Sequence, residues 1–228
     1  MDPLLITNYD VDGLKISTPV KNGKYYISKV KHGKKPIIAQ FPRMNIIKNF
    51  SSENDSAELE WGSIHEGYTK DVFDWCQKLN NFTIDKISSS SHDWFGKFLP
   101  LDVVEDMYKN FIRIPKNSSS GYWMRVCPYL KDDNLETLFY NLKGNEISKN
   151  VFKKGNIAIP ILKLKYLLFT KDTCQFLWEL RAAKVFRFKK PPRGYLFNND
   201  DINDDGEEED EDLENLDIES IAHTDEFH

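Results

Sequence analysis

"NIAIPILKLKYLLF" (156–169), "TKDT" (170–173) and "CQFLWELRAAKVFRF" (174–188) decide the fold. Two long apolar-rich runs flank a short polar turn, which predicts an antiparallel hairpin. The second run also admits a helix, because Leu177, Leu180, Arg181 and Lys184 fit a helical period and "LRAAK" has high helix propensity. Alternation of Phe176, Trp178, Leu180, Ala182, Phe186 and Phe188 favours the strand. With Thr170 opposite Thr173, Lys165 faces Trp178, Lys163 faces Leu180 and Phe169 faces Cys174 on one side. That face would carry two lysines and two large aromatics, a platform for stacking and cation–π contacts. The competing arrangement buries Phe176 and Trp178 and lets the lysine stems snorkel outward; a slip of one residue would reverse the pairing.

Outward from this hairpin the chain reads as strands with two helices. "LKISTPV" (14–20) and "KYYISKV" (24–30) flank Lys21-Asn22-Gly23, and Asn-Gly is a strong hairpin signal. A second turn at 31–35 leads into "PIIAQF" (36–41), and the polar stretch 51–58 reads as a loop. "GYTKDVFDWCQKLN" (67–80) places Val72, Trp75, Cys76 and Leu79 on one helical face, and "SSSSHD" (88–93) reads as a loop. "PLDVVEDMYKNFI" (100–112) predicts a second helix, with a stripe of Val104, Met107, Tyr108 and Phe111. Residues 115–121 read as a flexible loop, followed by strands at 122–130 and 135–142, the latter closed by a turn at Lys143-Gly144-Asn145. The sum is an α+β domain, mostly antiparallel β. A Greek-key barrel or sandwich of the oligonucleotide-binding kind fits about seven strands and two helices.

The formal net charge of −5 over 228 residues averages two unlike objects. Residues 198–228 hold 15 acidic residues and no Lys or Arg, leaving 21 acids against 31 Lys plus Arg in residues 1–197, a charge of +10. We therefore divide the chain into a basic β-rich nucleic-acid-binding domain (1–197) and an acidic C-terminal tail (198–228). The tail's "DDINDDGEEEDEDLE" core (200–214) has too few apolar groups to fold against its own repulsion, so it is expected to be disordered. The tail serves either as a solubility aid or as an intramolecular competitor for the basic surface and a docking peptide, with Phe227 as its anchor.

Hydrophobic residues at 40% can build a core, and the longest apolar run is broken by Lys163 and Lys165, so no membrane span is expected. No signal peptide is evident, and Cys76, Cys127 and Cys174 are odd in number and widely spaced, which argues against a disulfide framework. The expected location is the cytoplasm or nucleus, without secretion. No phosphate-binding glycine loop occurs, the five histidines lack ligand spacing, and Asp10-Val11-Asp12-Gly13 lacks the later ligands of a calcium loop. Neither an enzyme nor a cofactor is expected.

Basic and aromatic residues interleave instead. The candidate nucleic-acid contacts are Lys34 and Lys35; Trp94, Phe95 and Lys97; Tyr122, Trp123 and Arg125; Lys163, Lys165, Trp178, Arg181 and Arg187. Cations follow phosphates and any base can stack on an aromatic face, so this mixture suits sequence-tolerant single-strand binding. Each aromatic taken alone is more at home in a core, and the case rests on the ensemble.

"HDWFGKFLPLDVVEDMY" (92–108) followed by "LLFTKDTCQFLWELRAAKVFRF" (167–188) resembles single-stranded-DNA-binding proteins of nucleocytoplasmic large DNA viruses. Those proteins place a Trp-Phe-Gly-Lys-like element before a helix and a Trp on a late return strand. The resemblance extends to a phage-like class with an acidic tail ending in an aromatic residue, although here His228 follows Phe227. It implies single-stranded DNA, or RNA, as partner, a role in viral DNA replication, recombination or repair, and replication proteins docking on the tail; self-association stays open. The alternative is a virion structural or scaffold protein whose basic body faces capsid or packaged DNA.

Overall fold

Five strands close into a barrel. They are β1 (Met44–Lys48), β2 (Ala57–Trp61), β3 (Trp123–Pro128), β4 (Asn156–Phe169) and β5 (Cys174–Arg187) in a computed structural model that describes residues 4–50, 56–62, 64, 67–113, 121–132 and 134–187. The ring runs β1–β2–β3–β5–β4 and returns to β1. Four junctions are antiparallel, with Ile46 opposite Leu59, Leu59 opposite Met124, Phe169 opposite Cys174 and Ala158 opposite Met44. The fifth, β3 to β5, is parallel and pairs Cys127 with Glu179 and Pro128 with Leu180. Closure satisfies the backbone groups that an open sheet would leave at its edges. The expected α+β architecture with an oligonucleotide-binding-like barrel is what forms.

Alternation sorts the side chains. Met44, Ile46, Ala57, Leu59, Trp61, Met124, Val126, Leu162, Leu164, Trp178 and Leu180 fill the interior. Phe41 meets Trp61 and Trp178 edge-on at centroid distances of 6.1 and 5.4 Å. Outside the barrel, strands Ile38–Gln40 and Tyr25–Ser28 extend the sheet along β4, and Val20–Asn22 pairs with Tyr25–Ser28 through the Gly23-Lys24 turn. Gly23 has φ of +59°, the left-handed geometry that the Asn-Gly signal anticipates. The run 14–20 is not one strand: Leu14–Ile16 joins Val30–His32 and Lys35–Pro36 in a separate three-stranded sheet. Ser17 causes the switch, its hydroxyl accepting from the Lys29 amide while its own amide donates to the Lys29 carbonyl, and Pro19 offers no amide to a ladder.

Helix α1 (Gly67–Phe95) is twice as long as the pattern at 67–80 indicates and includes the serine run expected to be a loop. The hydroxyls of Thr83, Ser89 and Ser91 donate to the carbonyls of Leu79, Lys86 and Ser88, so they do not compete for the helix's own ladder from outside it. Ser91 also accepts from the Leu99 amide and Ser88 donates to the Leu99 carbonyl, pinning the chain as it leaves the helix. Helix α2 (Leu101–Met107) is shorter than the expected 100–112, and Ile112–Arg113 instead pairs with β3. The stripe holds: Val104, Tyr108 and Phe111 are buried and Met107 packs against the core. Phe111 and Tyr108 contact Phe176 at 5.9 and 6.3 Å.

The final hairpin forms, with β5 a strand, but its register departs from the expected one. From the turn to Tyr166↔Leu177 the pairing is as anticipated. A bulge at Lys165 then sets Leu164 opposite Trp178, Lys163 opposite Glu179 and Leu162 opposite Leu180. A second bulge, at Arg181 on β5, restores the register at Ile161↔Ala182. The predicted Lys165–Trp178 and Lys163–Leu180 pairs therefore do not exist. One extra residue reverses the facing of everything beyond it. Trp178 points inward and is 1% exposed, and beyond the second bulge Ala183 and Val185, in place of Ala182 and Phe186, continue the core cluster.

Candidate nucleic-acid interface

The outer face of β3, β5 and β4 gathers the charged and aromatic side chains. Along β3, Trp123, Arg125 and Cys127 point out between buried Met124, Val126 and Pro128. Arg113 is the cross-strand neighbour of Trp123 on one side and Glu60 on the other. The Arg125 guanidinium donates to Glu58 Oε1 at 2.9 Å and lies 5.9 Å from the Trp123 ring centre. A row across three strands then runs Cys127–Glu179–Lys163.

Glu179 is the centre of this face. Its side chain is 4% exposed, and its two oxygens are held by different cations: Lys165 Nζ at 3.2 Å from Oε2 and Arg181 Nη1 at 3.1 Å from Oε1. Those two cations are the two bulged residues of the hairpin. Arg181 continues onto Tyr129, its Cζ lying over the ring 3.2 Å from the centre, a close cation–π contact. Lys165 also lies 5.9 Å from the Tyr166 ring. Lys163 makes no ion pair among the described residues. The sheet continues beyond β4 onto the hairpin Val20–Ser28, where Tyr25 and Tyr26 are each 48% exposed. From Leu14 to Lys48 that part of the chain has nine Lys and Arg and no acid.

Five of the contacts expected from sequence thus share one surface: Trp123, Arg125, Lys163, Lys165 and Arg181. The others are elsewhere. Trp178 is in the barrel core and presents no ring face. Tyr122 packs edge-on against Phe73 of α1 at 5.0 Å. Trp94 and Phe95, half-buried at the end of α1, contact Phe169 at 6.3 and 5.6 Å near the β4–β5 turn, with Lys97 exposed beyond them. Lys34 and Lys35 are exposed on the separate three-stranded sheet, and Arg187 is at the far end of β5, opposite Asn156. Phe188, the 197/198 boundary and the tail with Phe227 lie outside the described residues. Tyr129, Arg113, Tyr166, Glu58 and Glu179 do not stand out in the sequence. Tyr129 could have been found there, since alternation from Trp123 and Arg125 through Cys127 reaches it.

The thiols give a probe of this face. Cys76 and Cys174 are buried, and burial pushes the Cys76 thiol well up and the Cys174 thiol to about 12. Cys127 is half-buried on the face; burial raises its thiol, Lys165 and Arg125 oppose that, and Glu179 adds to it. Iodoacetamide should therefore modify Cys127 alone in the folded protein, at a rate still rising with pH above about 9 because the thiolate is the nucleophile. Bound oligonucleotide should slow that reaction. Modification of Cys76 or Cys174 first, in intact protein, would contradict the fold.

No metal-binding group of three or more His, Cys, Asp or Glu occurs among the described residues, and no helix there is long and apolar enough to cross a membrane. A five-stranded Greek-key barrel of this connectivity is the architecture of oligonucleotide-binding domains, which commonly use the face of their second and third strands. Here β2 turns Glu58 and Glu60 outward, so the cationic and aromatic surface is displaced onto β3, β5 and β4.

No protein-family description and no curated protein sequence matches the chain. Among solved structures it is similar to the single-stranded DNA-binding protein of bacteriophage Enc34 in complex with ssDNA, at 11% identity and a TM-score of 0.40, over 76% of this chain and 97% of that one. A C-terminally truncated form of the same phage protein gives 10% identity and 0.40 over 78% and 98%. Likeness of this degree assigns neither family nor function. The large-virus class that the sequence resemblance implies finds no support in these phage structures.

Proposed function

We propose that the protein binds single-stranded DNA with little base preference, across the outer face of β3, β5 and β4 and onto the Val20–Ser28 hairpin. The observation that carries this reading is the Arg181–Tyr129 stack set among Trp123, Arg125, Lys163 and Lys165 on one open sheet face. Planar groups offer stacking to any base, and cations between them follow the backbone, which is the chemistry of sequence-tolerant binding. Duplex DNA keeps its bases stacked on one another and cannot use those planes. Neither helix is offered as a groove reader, since α1 packs along the core and α2 has seven residues. Such binding serves DNA replication, recombination or repair, and the acidic tail competes for the same surface and docks partner proteins.

Fluorescence anisotropy with labelled oligo-dT and a duplex of matched length tests the proposal. The single strand should bind at least about tenfold more tightly, as loss of one or two base stacks implies. If the four cations Arg125, Lys163, Lys165 and Arg181 each meet a phosphate, affinity should fall about 50-fold between 50 and 200 mM salt. Equal or tighter duplex binding would sink the proposal, and no affinity for oligo-dT would favour a scaffold role.

A further inference from the structure

We propose that Glu179 is the positioning residue of this surface: it fixes Arg181 and Lys165 for a single strand, so that the face works because of its buried carboxylate and not in spite of it. This rests on the single-strand reading above. Electrostatics alone suggests the opposite, since an acid amid cations weakens the pull on phosphate. Three features of the structure favour positioning. Both cations stand on bulges, one on each strand of the hairpin, and bulges re-aim side chains that a regular ladder would direct elsewhere. Both reach the same carboxylate, one oxygen each, so their separation is set by a group that is itself almost fully enclosed. The bond to Oε1 uses one of the five guanidinium donors while the guanidinium carbon stays over the Tyr129 ring. One side of the guanidinium lies over the phenol, and the side chain keeps 29% of its surface exposed for a base. Lys165 is held to Glu179 by an ion pair, and its ammonium N–H donors remain available to a phosphate.

Without Glu179, the two long side chains regain their rotamers and binding must order them again. The sign of the effect therefore separates the two accounts. Glu179→Gln removes one negative charge and so raises the net charge of the face by one. If Glu179 is only a counter-charge, oligo-dT affinity rises; if it positions, affinity falls, by about tenfold for two re-ordered side chains. Arg181→Lys leaves the charge unchanged but loses the planar fork, and is expected to weaken binding similarly. This second variant keeps the test intact if Glu179→Gln does not fold, which a melting curve decides. A further readout is independent of DNA. The Arg181 Nε–Hε resonance should be displaced upfield by the Tyr129 ring current in the wild type and return to the ordinary arginine position in Glu179→Gln. Unchanged or tighter oligo-dT binding by Glu179→Gln, or by Arg181→Lys where Glu179→Gln is unfolded, overturns the proposal, as does an Arg181 resonance that stays displaced in Glu179→Gln. Failure of the wild type to bind oligo-dT would instead show that the single-strand reading itself is wrong.

Discussion

Trp178→Ala should destabilise the protein by about 3–5 kcal/mol, while Trp123→Ala should leave the fold nearly intact and remove about 1–3 kcal/mol of single-strand affinity. The two indoles sit on opposite faces of the same wall. Trp178 is buried between Phe41 at 5.4 Å and Phe111 at 5.5 Å, opposite Leu164. Its indole N–H has no acceptor among the described residues, so its truncation costs packing and a cavity without costing a hydrogen bond. Trp178→Phe, which keeps an aromatic wedge in place, should therefore be much milder than the alanine change. Trp123 is half-buried, with Glu60 and Arg113 beside it. Urea denaturation followed by circular dichroism gives the stabilities, and anisotropy with oligo-dT gives the affinities. Retained stability with lost binding in Trp178→Ala would mean that β5 faces the other way.

That inversion between the two tryptophans shows where sequence reading stops. The existence of the hairpin, its turn at 170–173 and its first pairs follow from alternation and turn chemistry, which are local. The bulges at Lys165 and Arg181 do not, because nothing in "KLKYL" or "ELRAA" marks which residue is extra. They are set by closure, which requires β4 to pair with β1, the 38–40 strand and the 25–28 strand on one side while following β5 on the other. The parallel β3–β5 junction is equally non-local. The serine run misleads for a different reason: propensity disfavours serine in a helix interior, but Ser90 and Ser91 are buried, the hydroxyls of Ser89 and Ser91 find carbonyls within the helix, and that of Ser88 finds the Leu99 carbonyl.

The site was legible in proportion to how far it depended on one strand. Trp123 and Arg125 are two residues apart on β3, and their shared facing follows from the strand period alone. Lys163 and Lys165 are also two apart, yet the bulge at Lys165 decides their partners. Glu179 was invisible because an acid inside a basic surface reads from sequence as a diluting charge. Only the structure shows it enclosed, with a cation on each oxygen.

Removal of the acidic tail should raise oligo-dT affinity by about 10- to 100-fold at low salt, and the gain should vanish as salt rises. The prediction starts from charge alone: +10 over residues 1–197 against 15 acids over residues 198–228. A tethered polyanion meets a basic surface at an effective concentration on the order of 1 mM. Its own affinity for that surface should resemble non-specific phosphate-backbone binding, with a Kd of roughly 10⁻⁴–10⁻⁵ M at physiological salt. The ratio of the two gives the fraction of time the surface is covered, hence the penalty of about 10- to 100-fold on a competing strand. Leu213, Leu216, Ile218 and Phe227 could add apolar anchoring, but then part of the gain would survive high salt, because burial of apolar area is not screened. Truncation after residue 198, with dissociation constants measured at about 0.05 and about 0.5 M salt, separates these cases. A gain confined to low salt fits electrostatic competition, and a gain that persists requires a docked apolar segment. Identical constants for the full-length and truncated proteins at low salt would show that the tail does not reach the surface, and competition would have to be abandoned while the barrel face kept its role.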